Sequence, residues 1–226
     1  MTYIEVLHYL ERELPMFQRI GAKAFKADLQ NITALCQKLG NPQQQFKSIH
    51  IAGTNGKGST AHILAAILQE SGYKVGLHTS PHYHDLRERI KINGKWIGEE
   101  EVIVFVEKNK KIFEEIKPSF FELSVAMAFD FFAKQKVDVA IIETGLGGRL
   151  DATNIIEPLL SMITNISLEH TDFLGNTLAE IANEKAGIIK AKTPVIISET
   201  QAEIKAIFEQ LKQHSCSLKL QVQTLF

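Results

Sequence analysis

An α/β architecture is predicted: a mostly parallel, P-loop-type sheet flanked by helices, with a small β-hairpin near residues 89–97. Three observations predict it. VDVAIIE (137–143), LLSMITNI (159–166) and TPVIIS (193–198) are near-continuous apolar runs, the pattern of strands buried on both faces. Segments of helical period separate them. Residues 47–71, KSIHIAGTNGKGSTAHILAAILQES, read as strand, glycine-rich turn and helix. Strands alternating with helices imply parallel crossovers, with helices covering both sides of the sheet.

Taken in order, residues 2–13 form a short helix with Ile4, Leu7, Leu10 and Leu14 on one face, ended by Pro15. Phe17 to Lys26 is a loop. Leu29, Ile32, Leu35, Cys36 and Leu39 stripe a second helix, closed by Gly40-Asn41-Pro42. After the strand holding Ile49 and Ile51 comes the turn 53–60, and then Ile63, Leu64, Ile67 and Leu68 recur at helical spacing until Gly72. KVGLHTS (74–80) is the next strand, and Pro81 to Glu88 is a polar loop. RIKINGKWI (89–97) alternates around Asn93-Gly94, a strong hairpin signal. Val102, Phe105, Val106, Phe113 and Ile116 stripe a helix over 99–116, which Pro118 breaks, and a Phe-rich helix covers 120–134. Helices at about 178–189 and at 201–213 flank the strand at 193–198, and SLKLQVQTLF (217–226) alternates as a last strand.

The 226 residues, 45% hydrophobic and 23% charged with a formal net charge of −1, suit one large globular domain. Near-neutral charge gives no support for a nucleic-acid surface. No apolar run approaches the ~20 residues of a membrane-spanning helix. The acidic, amphipathic start MTYIEVLHYLERELP is not a secretory signal. Cys36 and Cys216 are far apart and suit free thiols in a reducing cytosol, so a cytoplasmic protein is the expectation. Oligomeric state is not readable from the sequence, and a monomer is the default.

Chemistry concentrates in Gly53-Thr54-Asn55-Gly56-Lys57-Gly58-Ser59-Thr60. Glycines let backbone N–H groups approach an anion, and the helix N-terminus behind them favours negative charge. Lys57 adds a full positive charge, and Ser59 or Thr60 offers a hydroxyl to a metal ion. The turn reads as a phosphate cradle for ATP with Mg²⁺. Its spacing is not that of the ordinary P-loop: only Thr54-Asn55 separate Gly53 from Gly56, and Gly58 sits between Lys57 and Ser59.

Ligands of such sheets gather beyond the carboxyl ends of the strands. Glu143 ends one apolar run and enters the Gly-rich TGLGGR, where a carboxylate is placed to hold Mg²⁺ opposite the phosphates. His170 lies just past another strand end, although a lone His is more often structural or solvated. Lys185, within an amphipathic helix beside Ala182, Ala186, Ile188 and Ile189, reads by composition as a snorkelling surface lysine. His78, His82 and His84 fall close together but match no common zinc spacing, and their loop reads better as a substrate-facing flap.

Four blocks in order, IAGTNGKGST, HTSPHYHDLRERIKING, ETGLGGRLDATN and LEHTDFLGNTLAEIANEKAGIIK, closely resemble the folylpolyglutamate synthase/dihydrofolate synthase family of the Mur ligase superfamily. The resemblance implies an ATP-dependent ligase that phosphorylates a carboxylate of dihydropteroate or a folate and joins the acyl group to the amine of L-glutamate. It places Gly53, Asn55, Gly56, Lys57, Gly58 and Ser59 on ATP, with Ser59 on Mg²⁺, and Glu143 and His170 at metal sites. It makes Lys185 the lysine that is carbamylated in the superfamily, an anion able to hold a second Mg²⁺. It puts Ser80, Pro81, His82 and Arg89 in the mobile folate-side loop, and Phe121 and Asp151 near the pterin. Family members carry a further, Rossmann-like C-terminal domain. By that likeness, 1–226 is an ATP-binding domain incomplete at its C-terminus, and a fragment inactive alone. Competing readings are a peptidoglycan-precursor ligase, a non-catalytic ATP-binding scaffold and a P-loop kinase or GTPase. The TSPH and GRLDATN blocks argue against the first, and the turn spacing against the last.

Overall fold

The structure is a computed structural model, and it describes residues 1–15, 28–199, 201–212 and 218–220. The loop expected over 17–26 and the end of the last expected strand, 221–226, lie outside the described residues. One sheet of eight strands organises the chain. Helix α1 (Tyr3–Glu13) starts at a capping box in which Thr2 and Glu5 satisfy each other's backbone N–H groups. Helix α2 (Gln30–Lys38) follows, then strand β1 (Lys47–Ala52), helix α3 (Lys57–Glu70) and strand β2 (Val75–His78). The hairpin is β3 (Ile90–Ile92) and β4 (Lys95–Trp96), turning on Asn93 at φ 48° and Gly94 at φ 74°. Helices α4 (Glu99–Ile116) and α5 (Phe120–Lys134) precede β5 (Val139–Glu143) and β6 (Leu160–Ile163). The remaining elements are α6 (Thr171–Leu174), α7 (Leu178–Ala186), β7 (Val195–Ile197), α8 (Lys205–Lys212) and β8 (Leu218–Leu220).

Strand order is β4-β3-β2-β5-β1-β6-β7-β8. All pairs from β2 to β8 are parallel, and the hairpin adds two antiparallel strands to the β2 edge. Alternation along the strands assigns the two faces. Val75, Leu77, Val139, Ile141 and Ile51 pack under α3. Ala140 and Ile142 face the larger core beneath α5, filled by Phe129 and Phe132. Ala52, Ile163, Val195 and Ile197 form a third cluster with Ile181, Ala182 and Phe208 of α7 and α8.

Several expectations shift. The buried face of α1 is Tyr3, Val6, Leu10 and Leu14, and Ile4 is 64% exposed. The face turns because the Tyr3 hydroxyl donates to Asp85 Oδ1 at 2.7 Å and the Arg87 guanidinium stacks on its ring. On α3, Leu64 and Leu68 pack inward while Ile63 and Ile67 are 62% and 57% exposed. The helix expected to reach 189 stops at Ala186, where Gly187 lies against Arg149. The helix expected from 201 begins at Lys205.

Candidate active site

The carboxyl ends of β1, β2, β5 and β6 meet along one edge of the sheet, and the phosphate turn leaves β1 there. Gly53, at φ +146°, must be glycine: a Cβ would sit 1.9 Å from Thr164 Oγ1. Thr164 Oγ1 donates to the Asn55 carbonyl at 2.7 Å. Asn165 accepts from the Thr54 amide through its carbonyl and from the Asn55 amide through Oδ1, both at 2.9 Å. Thr54 Oγ1 accepts from the Ser167 amide at 3.0 Å. The loop after β6 thus holds the turn open from one side. Gly56, at φ +80°, hands over to α3, whose first turn presents the exposed Ser59 and the half-buried Thr60.

Two amines converge on one carbonyl. Lys57 Nζ donates to Gly53 O at 2.8 Å and to Thr54 O at 3.0 Å. Lys185 Nζ donates to the same Gly53 O at 2.9 Å and pairs with Glu169 Oε1 at 2.5 Å. Lys185 is only 1% exposed, which overturns the snorkelling reading. Burial lowers its pKa against the pull of Glu169. α7 can bring it there because Gly148 and Gly187 let the TGLGGR turn press on the helix end: a Cβ on Gly148 would lie 2.6 Å from the Lys185 carbonyl.

Glu143 closes the opposite rim. It is 4% exposed and its Oε2 accepts from the Ser80 amide at 3.1 Å. A Cβ on Gly58 would stand 3.6 Å from both carboxylate oxygens, so this acid faces the phosphate turn directly. Burial raises its pKa, while the Ser80 amide, Lys57 and Arg89 hold it down. The exposed His170 sits at φ 45° at the start of α6, one residue beyond Glu169 and on the loop that braces the turn. Its place is by the site through that loop.

The folate-side residues divide. The Ser80 amide serves Glu143, and a cis peptide joins Ser80 to Pro81. Arg89 is buried, donates through Nε to His82 Nδ1 at 2.7 Å and lies over the Phe120 ring at 5.4 Å. Burial lowers the Arg89 pKa to about 10. The Phe121 ring covers Gly145 and stands 6.1 Å from the buried His78 ring. Asp151 is buried, and its two oxygens are taken by the amides of Gly145, Leu146 and Thr153 and by the Thr153 hydroxyl.

A catalytic Mg²⁺ is bound by one or two carboxylates with substrate phosphates and waters. One buried, burial-strained carboxylate beside an exposed hydroxyl and a phosphate cradle fits that chemistry. Among the described residues no cluster of three or more His, Cys, Asp or Glu forms an all-protein metal cage.

Residues 51–223 match the Mur ligase middle domain. The chain belongs to the Mur ligase family. Among its Mur ligase relatives, the Bacillus subtilis dihydrofolate synthase/folylpolyglutamate synthase is 44% identical over 198 residues, covering 84% of this chain and 46% of the relative. A crystal structure of folylpolyglutamate synthase from Thermotoga maritima superposes with a TM-score of 0.83 at 40% identity, over 95% of this chain and 49% of the other. An FPGS–AMPPCP–folate complex gives 0.87 at 36% identity, over 96% and 54%. This chain therefore spans about half the length of the Mur ligase chains it matches.

Sequence reasoning missed Thr164, Asn165 and Glu169, which brace the turn and hold Lys185. The signal was available: polar residues directly after an apolar strand, at the edge where ligands gather. It also missed His50, one residue ahead of the first motif, and Thr153, which sits inside the GRLDATN block with no role assigned to it.

Proposed function

We propose that this chain is the nucleotide-binding part of an ATP-dependent ligase that adds L-glutamate to dihydropteroate or to a folate. The convergence of Lys57 and Lys185 on Gly53 O, facing Glu143 across Gly58, carries the reading. Phosphoryl transfer needs positioning and positive charge, and this rim supplies both. With nucleotide bound, Lys57 exchanges its two backbone carbonyls for phosphate oxygens. Ser59, Glu143 and His170 would hold Mg²⁺, which neutralises charge on the transferring phosphoryl group. A carboxylate oxygen of the pteroate attacks the γ-phosphorus and ADP leaves. The glutamate amine then attacks the acyl carbon, inorganic phosphate leaves, and the amine gives up a proton. In carbamylation, CO₂ would add to the neutral Lys185 amine that burial favours, with loss of one N–H proton, giving an anion that could hold a second Mg²⁺. Arg89, His82, Pro81 and Phe121 line the pteroate side, and Asp151 shapes it from below. Residues 1–226 form a Mur-ligase-type ATP-binding domain that binds nucleotide.

The test is calorimetry with AMPPCP and a thermal-shift screen. AMPPCP is expected to bind only with Mg²⁺, and Lys57→Ala to weaken it by about tenfold or more. Dihydropteroate is expected to raise the melting temperature further. A shift with uridine-diphosphate sugars but none with pteroates would overturn the folate assignment. GTP competing as well as ATP would overturn the nucleotide assignment. Mass gained in bicarbonate and lost in acid on the peptide bearing Lys185 would report the carbamate.

A further inference from the structure

Beneath the site, three buried side chains from two separate segments form one hydrogen-bonded chain. His50 is fully buried on β1, and its Nε2 lies 2.8 Å from Thr153 Oγ1. Thr153 Oγ1 donates to Asp151 Oδ1 at 2.5 Å. Asp151 Oδ2 accepts from the Gly145 and Leu146 amides, both at 2.8 Å, and Oδ1 also accepts from the Thr153 amide at 3.0 Å. Burial raises the Asp151 pKa, and four donors aimed at its carboxylate oppose that rise and favour the ionised form. The single hydroxyl proton of Thr153 is therefore given to Asp151, and the hydroxyl oxygen accepts from His50. That fixes His50 as the Nε2–H tautomer, with Nδ1 bare. Nδ1 is buried with no hydrogen-bond partner among the described residues.

A bare buried nitrogen is a cost that an apolar side chain of similar size would remove. A histidine kept only to fill the core is the wrong residue here. The ends of the chain say what it does instead. His50 stands three residues before Gly53, and β1 pairs Ile51 with Glu143. Asp151 grips the two amides that follow Glu143 and Thr144. The chain ties the strand that launches the phosphate turn to the turn that carries the acidic rim.

We infer that His50 and Thr153 are positioning residues: acting through Asp151, they hold the Gly145–Leu146 turn and so fix Glu143 against Gly58 at the spacing a Mg²⁺–nucleotide requires. The inference rests on the ligase reading for its metal, but the relay itself is readable without one.

Three measurements on the 226-residue chain test it. Long-range ¹H–¹⁵N NMR is expected to show His50 protonated at Nε2 in the wild type and in Thr153→Ser. Amide exchange at Gly145 and Leu146 is expected to quicken in Thr153→Val, relative to Ile141, and to stay slow in Thr153→Ser. Calorimetry with AMPPCP is expected to show half-saturating Mg²⁺ raised about tenfold in Thr153→Val and in His50→Leu, as for other groups that orient metal ligands, with Thr153→Ser close to wild type. His50→Leu is expected to melt no lower than wild type, which separates positioning from packing. A wild-type Nδ1–H tautomer, or unchanged exchange in folded Thr153→Val, overturns the relay. Unchanged Mg²⁺ dependence in both folded variants overturns its positioning role. If the wild type binds no Mg²⁺–nucleotide, the ligase reading fails and the first two measurements still decide the relay.

Discussion

Glu143 shows the cost of a site at the scale of one side chain. Its carboxyl is buried and its pKa raised, so the stability linked to it is fully present below its ordinary value near 4.5 and is lost as pH rises through the folded value. At neutral pH the ionised acid opposes folding unless a cation offsets it. Glu143→Gln keeps an acceptor for the Ser80 amide and removes the charge. The variant is expected to melt higher than wild type at pH 7 without Mg²⁺, by roughly 2–4 °C for each kcal/mol relieved in a chain of this size. The gain should shrink below pH 4.5, and Mg²⁺–AMPPCP should stabilise the wild type but not the variant. Differential scanning calorimetry at pH 4 and 7 decides it, and a lower melting temperature at pH 7 would contradict it. The acid at the end of an apolar run and the Gly-Lys turn were legible because each breaks a local pattern. The pairing of His50 with Thr153 was not, because its meaning lies in a contact 103 residues apart in sequence.

At the scale of elements, close approach decides where α7 sits. Gly148 admits the Lys185 and Glu184 carbonyls, and the Arg149 amide donates to Glu184 O at 2.7 Å. Gly148→Ala would push the helix away and carry Lys185 off Gly53. The expected cost is about 1–3 kcal/mol, as for other overpacked sites, with weaker AMPPCP binding alongside. A denaturant melt and a binding isotherm check it, and loss of stability without loss of binding would show that Lys185 needs no such support. Elements themselves were largely readable in the sequence, since apolar runs and helical stripes report burial directly. α3 marks the limit. Its Ile, Leu and Ala residues surround the helix, so periodicity could not tell which side meets the sheet. Ile63→Lys is therefore expected to change stability by no more than about 0.5 kcal/mol, as at an ordinary surface site. A denaturant midpoint that falls sharply would mean that the outer face of α3 is covered in solution.

Across the whole molecule, one sheet joins the three hydrophobic clusters, and its central strand β5 is flanked by two buried histidines. His50 and His78 both pair with Ile142 in the β1–β5 and β2–β5 registers and face the α5 side. Burial pushes each pKa down to about 3, so both are neutral in the folded protein at pH 7. A depressed histidine contributes stability that is present above its unfolded value near 6.5 and is lost as pH falls toward 3. Between pH 6.5 and 5 the unfolded chain gains protons at these histidines that the folded chain does not, while Glu143 and Asp151, raised by burial, oppose that slope. Each histidine contributes up to about 1.4 kcal/mol per pH unit. His78→Phe removes one of the two. Urea melts at pH 7.5, 6.5 and 5.5 are expected to show the wild type losing stability across the window and the variant losing less, with His50 and the more weakly lowered His82 still titrating. Equal slopes would mean that acid enters this fold elsewhere, because a phenyl ring in that position binds no proton in either state.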